Sequence, residues 1–321
     1  MNEDRKRVLN LLSEGKIDSD QAERLLDALG HSESASDTHG GARPSPVGQA
    51  ERVQVTVEPE TESREGRDHD DTFTIDGPPR LEVENFNGRV EVNGGGPEGS
   101  VRVKAEIRNP DRTDYRLGQD GNTIRVEAKR KGKLGIFQFV STSRGNRISV
   151  TVPTNADVSI HTSNGRIDLQ KVDGTVKLQT SNGRISVDKV KGKVEAQTSN
   201  SRIDAKKVIG DADLRTSNGR VTVEDSKGVF TAVTDNGRVH FEGEFEPGGD
   251  NRFRTSNGSI SVQLAGEPSL NLDASTSNGS VKCSHLLSGK VMSGKNHLAG
   301  AIGAGDASLT LQTSNGSISV D

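Results

Sequence analysis

The feature that most constrains this chain is a tetrapeptide, Thr-Ser-Asn-Gly or a near copy, that recurs at fixed spacing. Its threonine falls at Thr162, Thr180, Thr198, Thr216, Thr234, Thr255, Thr276 and Thr313. Successive spacings are 18, 18, 18, 18, 21, 21 and 37 residues. Self-similarity at this period is the signature of a solenoid. The last spacing is close to two periods, so one marker is expected to have been lost within 276–312. The same offsets stay apolar in each unit. Ile167, Ile185, Ile203, Val221, Val239, Ile260 and Val281 form one column. Leu169, Val187, Ala205, Val223, Phe241, Val262 and Cys283 form a second, and Val172, Val190 and Val208 a third. Alternation with period two describes strands with one face inward and one outward. A lone unit cannot bury its inward face; stacked units bury a continuous column. At about 4.8 Å per coil, roughly a dozen coils would make a rod on the order of 60 Å long.

Asn-Gly is a turn signal, because Asn tolerates a left-handed backbone and Gly adopts positive φ freely. The expected corner therefore carries both properties. Stacked corners would also align Asn164, Asn182, Asn200, Asn218, Asn236, Asn257, Asn278 and Asn315 into an amide ladder, a known stabiliser of stacked β structure. Gly174, Gly192, Gly210 and Gly228 mark a second turn within each unit.

Composition fits a thin fold. Hydrophobic residues are 29% and aromatics 3%, less apolar volume than a thick two-layer core uses. The net charge of −4 lacks the basic footprint of a nucleic-acid-binding protein. One cysteine, Cys283, excludes an internal disulfide and reads as a small buried hydrophobe. The first residues lack the apolar core of a secretory signal, and no 18-residue apolar run spans a membrane. The expected location is therefore cytoplasmic by default.

Three segments follow. Residues 1–30 carry a helical hairpin pattern. Val8, Leu11 and Leu12 share one face, and Ala22, Leu25, Leu26 and Leu29 another, with Asp18 and Gln21 as a capping box and Gly30 as a stop. So short a hairpin buries little core alone and is expected to self-associate into a homo-oligomer or to pack on a partner. Residues 31–71 are rich in Ser, Gly, Pro and acidic residues and read as a flexible linker. Residues 72–321 read as mostly β, a single-stranded β-helix (β-solenoid) of 18- to 21-residue coils.

The motif LEVENFNGRVEV and the recurring TSNGRI and TSNGSI resemble the bacterial adhesin-like family of β-strand-repeat domains. VLNLLSEGKIDSDQAERLLDAL resembles the short helical domain often placed before it, itself similar to short C-terminal oligomerisation hairpins. The resemblance implies a right-handed β-helix-like solenoid, a link to the cell envelope or its stress response, surface association in tension with the cytoplasmic default, and no catalytic residues.

No catalytic site, cofactor or metal is expected from the residues themselves. Asp168, Asp188, Asp204 and Glu224 vary in offset and read as solvated-face residues, not the convergent carboxylates of a carbohydrate-active β-helix. The seven histidines show no metal spacing. Gly289–Asn296 approaches a phosphate-binding loop, but Asn replaces the terminal Ser or Thr and no helical pattern follows. One surface column stands out: Arg166, Arg184, Arg202, Arg220 and Arg238 follow the early Asn-Gly positions, and Ser259, Ser280 and Ser317 take that place later. In register, five guanidiniums would line one edge about 4.8 Å apart, a candidate anion-binding strip if acids do not neutralise it. The leading expectation is a non-catalytic scaffold binding a protein or an envelope polymer. A self-assembling filament is the alternative, because TSNGSISVD ends the chain on a repeat-like strand without a polar cap. A carbohydrate-active enzyme is the third.

Overall fold

The computed structural model describes residues 61–131 and 145–321. The hairpin expected at 1–30 lies outside them, as does most of the expected linker. No helix occurs among the described residues.

The β region starts ahead of residue 72. Strand β1 (Glu62–Arg64) falls inside the segment read as linker, and β2 (Asp68–Thr74) begins in it and crosses its end at residue 71. Their polar sequences hid them: β2 alternates only between exposed and half-buried positions. It is held as an edge strand by antiparallel pairing to β5 (Ser100–Glu106). An edge rich in charge resists further strand addition.

Next come β3 (Arg80–Asn85) and β4 (Gly88–Asn93), joined by the corner Asn85-Phe86-Asn87-Gly88, with β6 (Thr113–Asp120), β7 (Thr123–Arg130) and β8 (Asn146–Thr151). The chain doubles back here. β3 lies in parallel between β7 and β9 (Asp157–Thr162), and β4 between β8 and β10 (Ile167–Thr180). β6 on β7, β1 on β6, and β5 on β8 close this end with antiparallel pairs.

The regular coils follow. β10, β11 (Ile185–Thr198), β12 (Ile203–Thr216) and β13 (Val221–Thr234) stack in parallel, each displaced by one repeat: Ile167 faces Ile185, Ile185 faces Ile203, and Ile203 faces Val221. Each long strand begins on one face, bends, and returns along the other. The bend sets Lys171, Lys189, Lys207 and Asp225 in the left-handed region at φ of 50–58°. Such a backbone costs a non-glycine residue about 1 kcal/mol, which the cross-coil ladder sustains. The bend glycines also have positive φ, and a Cβ on Gly210 would come within 2.2 Å of the Gly192 carbonyl oxygen.

The interior is the set of columns that the repeat outlines. Ile167, Ile185, Ile203, Val221 and Val239 are fully buried, as are Val172, Val190 and Val208. Burying each such side chain stabilises by about 1.5–3 kcal/mol. The period lengthens to 21 residues at β14 (Val239–Phe245), β15 (Asp250–Thr255) and β16 (Ile260–Leu264), where a bulge shifts the β13–β14 register after Val223. Phe230, Phe241, Phe245 and Phe253 pack together here, with ring centroids 4.5 to 6.5 Å apart.

The C-terminal end corrects two expectations. The remaining strands are β17 (Leu270–Asn278), β18 (Val281–Cys283), β19 (Ser288–Ser293), β20 (His297–Ile302), β21 (Ala307–Asn315) and β22 (Ile318–Val320). β21 lies in parallel between β15 and β17, and β22 between β16 and β18. The last unit in sequence is thus an inner coil, flanked on both sides, and not a bare terminal one. The long gap between Thr276 and Thr313 holds no lost coil either. It holds β19 and β20, which close the end by antiparallel pairing of β20 to β17 and β19 to β20. Cys283 is half-buried against the core, and burial pushes its thiol pKa up. The loop-like stretch Gly289–Asn296 starts in β19, with no helix after it.

Candidate functional site: the arginine column beside the corners

The corners are built by side chain and backbone together. Each marker threonine from Thr180 onward is buried, and its hydroxyl donates to a corner carbonyl of the neighbouring coil: Thr198 to Gly183 at 3.0 Å, Thr234 to Gly219 at 2.8 Å, Thr255 to Gly237 at 2.8 Å. The Thr-Ser ledge is therefore not an open surface at its threonines. The corner residues correct one detail. Neither the marker asparagines nor the marker glycines adopt positive φ. Glycine is needed because coils approach closely: a Cβ on Gly183 would lie 1.6 Å from the Gly165 carbonyl oxygen. Ser201 stands there once, so that corner yields enough to admit a side chain.

The asparagines form the expected ladder as direct side-chain hydrogen bonds. Asn182 donates to Asn164 at 2.7 Å, Asn200 to Asn182 at 2.8 Å, and Asn218 to Asn200 and Asn236 to Asn218 at 2.9 Å each. Asn257 donates to Asn236 at 2.8 Å, Asn315 to Asn257 at 2.8 Å, and Asn278 to Asn315 at 2.9 Å. This order repeats the strand order, with the 315 corner ahead of the 278 corner.

Two residues past each asparagine stands the arginine column. Register brings Arg166, Arg184, Arg202, Arg220 and Arg238 together as stacked neighbours. It also adds two members that sequence reasoning missed. Arg89 precedes Val90, which pairs with Ile167, and Arg147 pairs with Arg89. The signals were present as Asn87-Gly-Arg-Val and Asn146-Arg-Ile, but Asn85-Phe86 stands where the first would have Thr-Ser, and Arg144-Gly145 separates Thr142-Ser143 from Asn146 in the second.

Acids neutralise only part of this column. Asp168 takes Arg89 through Nε at 2.8 Å on one oxygen and Arg166 at 2.8 Å on the other. Asp204 contacts Arg184 and Arg202 at 2.7 and 3.1 Å through one oxygen. Neither Nε–H points along the line to that oxygen, so these are ion contacts without aligned hydrogen bonds. Partly exposed pairs of this kind stabilise by less than about 1 kcal/mol each. The acid position alternates through Asp168, Ser186, Asp204, Thr222 and His240. Arg220 and Arg238 consequently have no carboxylate within ion-pair distance among the described residues.

Among the described residues, no group of three His, Cys, Asp or Glu side chains converges on a metal position, and no helix is long and apolar enough to cross a membrane. His161 contacts Gln179 and His297 contacts Asp273, each on the surface.

A parallel β-solenoid closed at both ends by antiparallel strands, with an asparagine ladder at its corners, defines the class. Residues 79–321 match the Toastrack DUF4097 family, and the chain belongs to it. Residues 3–34 match a SHOCT-like domain. No curated protein matches the sequence. Solved structures of low identity are similar in part. A candidate adhesin from Bacteroides fragilis NCTC 9343 is 9% identical, with 79% of this chain and 97% of that one covered at a TM-score of 0.34. A candidate cell adhesion protein from Clostridium sporogenes ATCC 15579 is 10% identical, with 79% and 99% covered at 0.27. A candidate lipid binding protein from Parabacteroides distasonis ATCC 8503 is 12% identical, with 80% and 97% covered at 0.27.

Proposed function

We propose that this chain is a non-catalytic interaction scaffold of the bacterial cell envelope, whose arginine-bearing face engages an anionic partner. The observation that carries this reading is the imbalance on that face. Seven arginines stack in register, Arg147, Arg89 and the five expected, against three carboxylates of the adjoining column, Asp168, Asp204 and Glu91, the last of which contacts Arg89. Like charges one coil apart repel, and the arrangement gains most when an external anion bridges them. Long regular faces of repeat folds suit extended partners. Those two aspartates are each engaged by two guanidiniums, which speaks for binding over acid–base chemistry on this face. Residues 1–30 serve in this reading as an oligomerisation hairpin that multiplies the faces presented, supported by the SHOCT-like match at 3–34.

The test is co-sedimentation of the full chain with an anionic cell-wall polymer, beside a variant carrying R166S, R184S, R202S, R220S and R238S. Serine is native to this position at Ser259, Ser280 and Ser317, so the coil geometry tolerates it. Binding is expected to be lost in the variant. Unchanged binding would contradict the reading.

A further inference from the structure

We propose that Arg220 and Arg238, with Thr222, His240 and Ser261, form a discrete binding site for a phosphate monoester group; this rests on the reading of the arginine face given above. Arg220 precedes Val221 and Arg238 precedes Val239, and those two valines pair across adjacent coils. The guanidiniums therefore stand about one strand spacing apart. On the same face Thr222 pairs with His240, and His240 with Ser261. Together these side chains line a shallow groove of about 530 Å³, which Asp204 and Glu224 also border.

The two bordering carboxylates are already engaged. Asp204 holds Arg184 and Arg202, and Glu224 contacts Lys206 at 3.5 Å. Glu242 follows His240 by two residues on the same strand face and does not line the groove. That leaves two neighbouring guanidiniums without a carboxylate, flanked by two hydroxyls and an imidazole.

The column is otherwise organised to avoid this. Arg89 and Arg166 share Asp168, and Arg184 and Arg202 share Asp204. Continuing the alternation would place an acid at position 240; the chain has histidine there, with Thr222 before it and Ser261 after. In the next coil the arginine itself gives way to Ser259. Two adjacent arginines without an ion pair occur, among the described residues of the column, at these last two coils; Arg147 at the other end also has none, but it stands beside Arg89, which Asp168 and Glu91 hold.

A ligand matching this site carries two negative charges on one compact group and several acceptor oxygens. Guanidinium forks recognise phosphoryl oxygens in pairs, and hydroxyl and imidazole N–H groups donate to the rest. A phosphate monoester supplies both charges; a diester supplies one. A terminal phosphate on an envelope polymer and a phosphomonoester lipid headgroup share this chemistry.

The experiment uses the full chain. Inorganic phosphate is titrated by calorimetry into the native protein, into R220S/R238S, and into R80S/R125S as the control on acid-paired arginines outside the column, since Arg80 and Arg125 share Glu82. Phosphatidylcholine vesicles with and without phosphatidic acid form a second arm. The site predicts that R220S/R238S weakens phosphate binding by about tenfold or more. The control should change it by less than about twofold. Vesicles carrying phosphatidic acid that bind the native chain, and not R220S/R238S, would support the site and identify a headgroup as the source. Phosphate binding without vesicle binding would support it with a soluble source. Equal weakening in both double variants, or no phosphate binding by the native chain, would overturn it. Loss of polymer binding in the five-serine variant together with unchanged phosphate binding in R220S/R238S would overturn this site while leaving the broader reading intact.

Discussion

Asn315 donates its side-chain amide to Asn257 at 2.8 Å, although 58 residues of sequence separate them. Asn278, nearer to Asn257 in sequence, is the next rung out and reaches only Asn315. The same inversion appears in the threonines: Thr313 donates to Gly258, and Thr276 to Gly316. The stacking order of coils is therefore not the order of the chain. The end of the chain is inserted into the stack, and its neighbours are completed by it.

Removing residues 307–321 should consequently do more than shorten the stack. It strips β15 and β16 of one neighbour and β17 and β18 of another. Hydrogen exchange of the truncated chain is expected to show lost protection across Asp250–Cys283, with Ile167–Thr216 unaffected. Protection retained throughout 250–283 would count against the inserted coil.

The ladder predicts a graded cost. Asn218 donates to Asn200 and accepts from Asn236, whereas Asn278 donates to Asn315 at the ladder's end. Asn218→Ala should destabilise by about 1 kcal/mol, and Asn278→Ala by roughly half as much. Urea unfolding of the two variants reads the difference. Equal costs would mean that the amides act singly.

Asp204 restrains two arginines at once. Asp204→Asn should change stability by less than about 1 kcal/mol, because the contacts are partly exposed and poorly aligned. It should also tighten binding of an anionic polymer by making the face more positive. A weakened affinity in the sedimentation assay would show that Asp204 organises the surface rather than masking it.

Edge strand β2 should be acid-sensitive. Arg102 donates twice to Asp70 at 2.7 Å, and these hydrogen bonds, with help from Lys104, hold the Asp70 carboxyl below the usual carboxylate range. A lowered folded-state pKa gives stability that is present above the unfolded-state value and lost as pH falls through the folded one. NMR titration of Asp70 should therefore move upward in R102Q. An unmoved titration would exclude Arg102 as the cause.

Much of this architecture is legible in the residues. The apolar columns and the asparagine rungs follow from side-chain alternation and equal spacing, because each coil buries the same offsets against the next. Stacking order is not legible in the same way. A coil's sequence specifies its own bend and inward face, and any coil of matching shape can accept it as a neighbour. Ile318 pairs equally well with Ile260 and Val281. The closing strands were hidden for another reason. β2 is too polar to show an apolar face, and β19 and β20 lack the marker. The arginine column was seen in part, since Arg89 and Arg147 follow corners without an intact Thr-Ser-Asn-Gly. Its loss of acid partners at Arg220 and Arg238 became visible only when register placed Asp168 and Asp204 between their pairs.

Binding of an anionic partner by the arginine face should show itself in the salt dependence of polymer binding. Displacement of counterions makes log affinity fall linearly with log salt concentration, more steeply the more charges are engaged. The full chain should show a steep slope that flattens markedly in the five-serine variant. Superimposable slopes for the two proteins would contradict the claim.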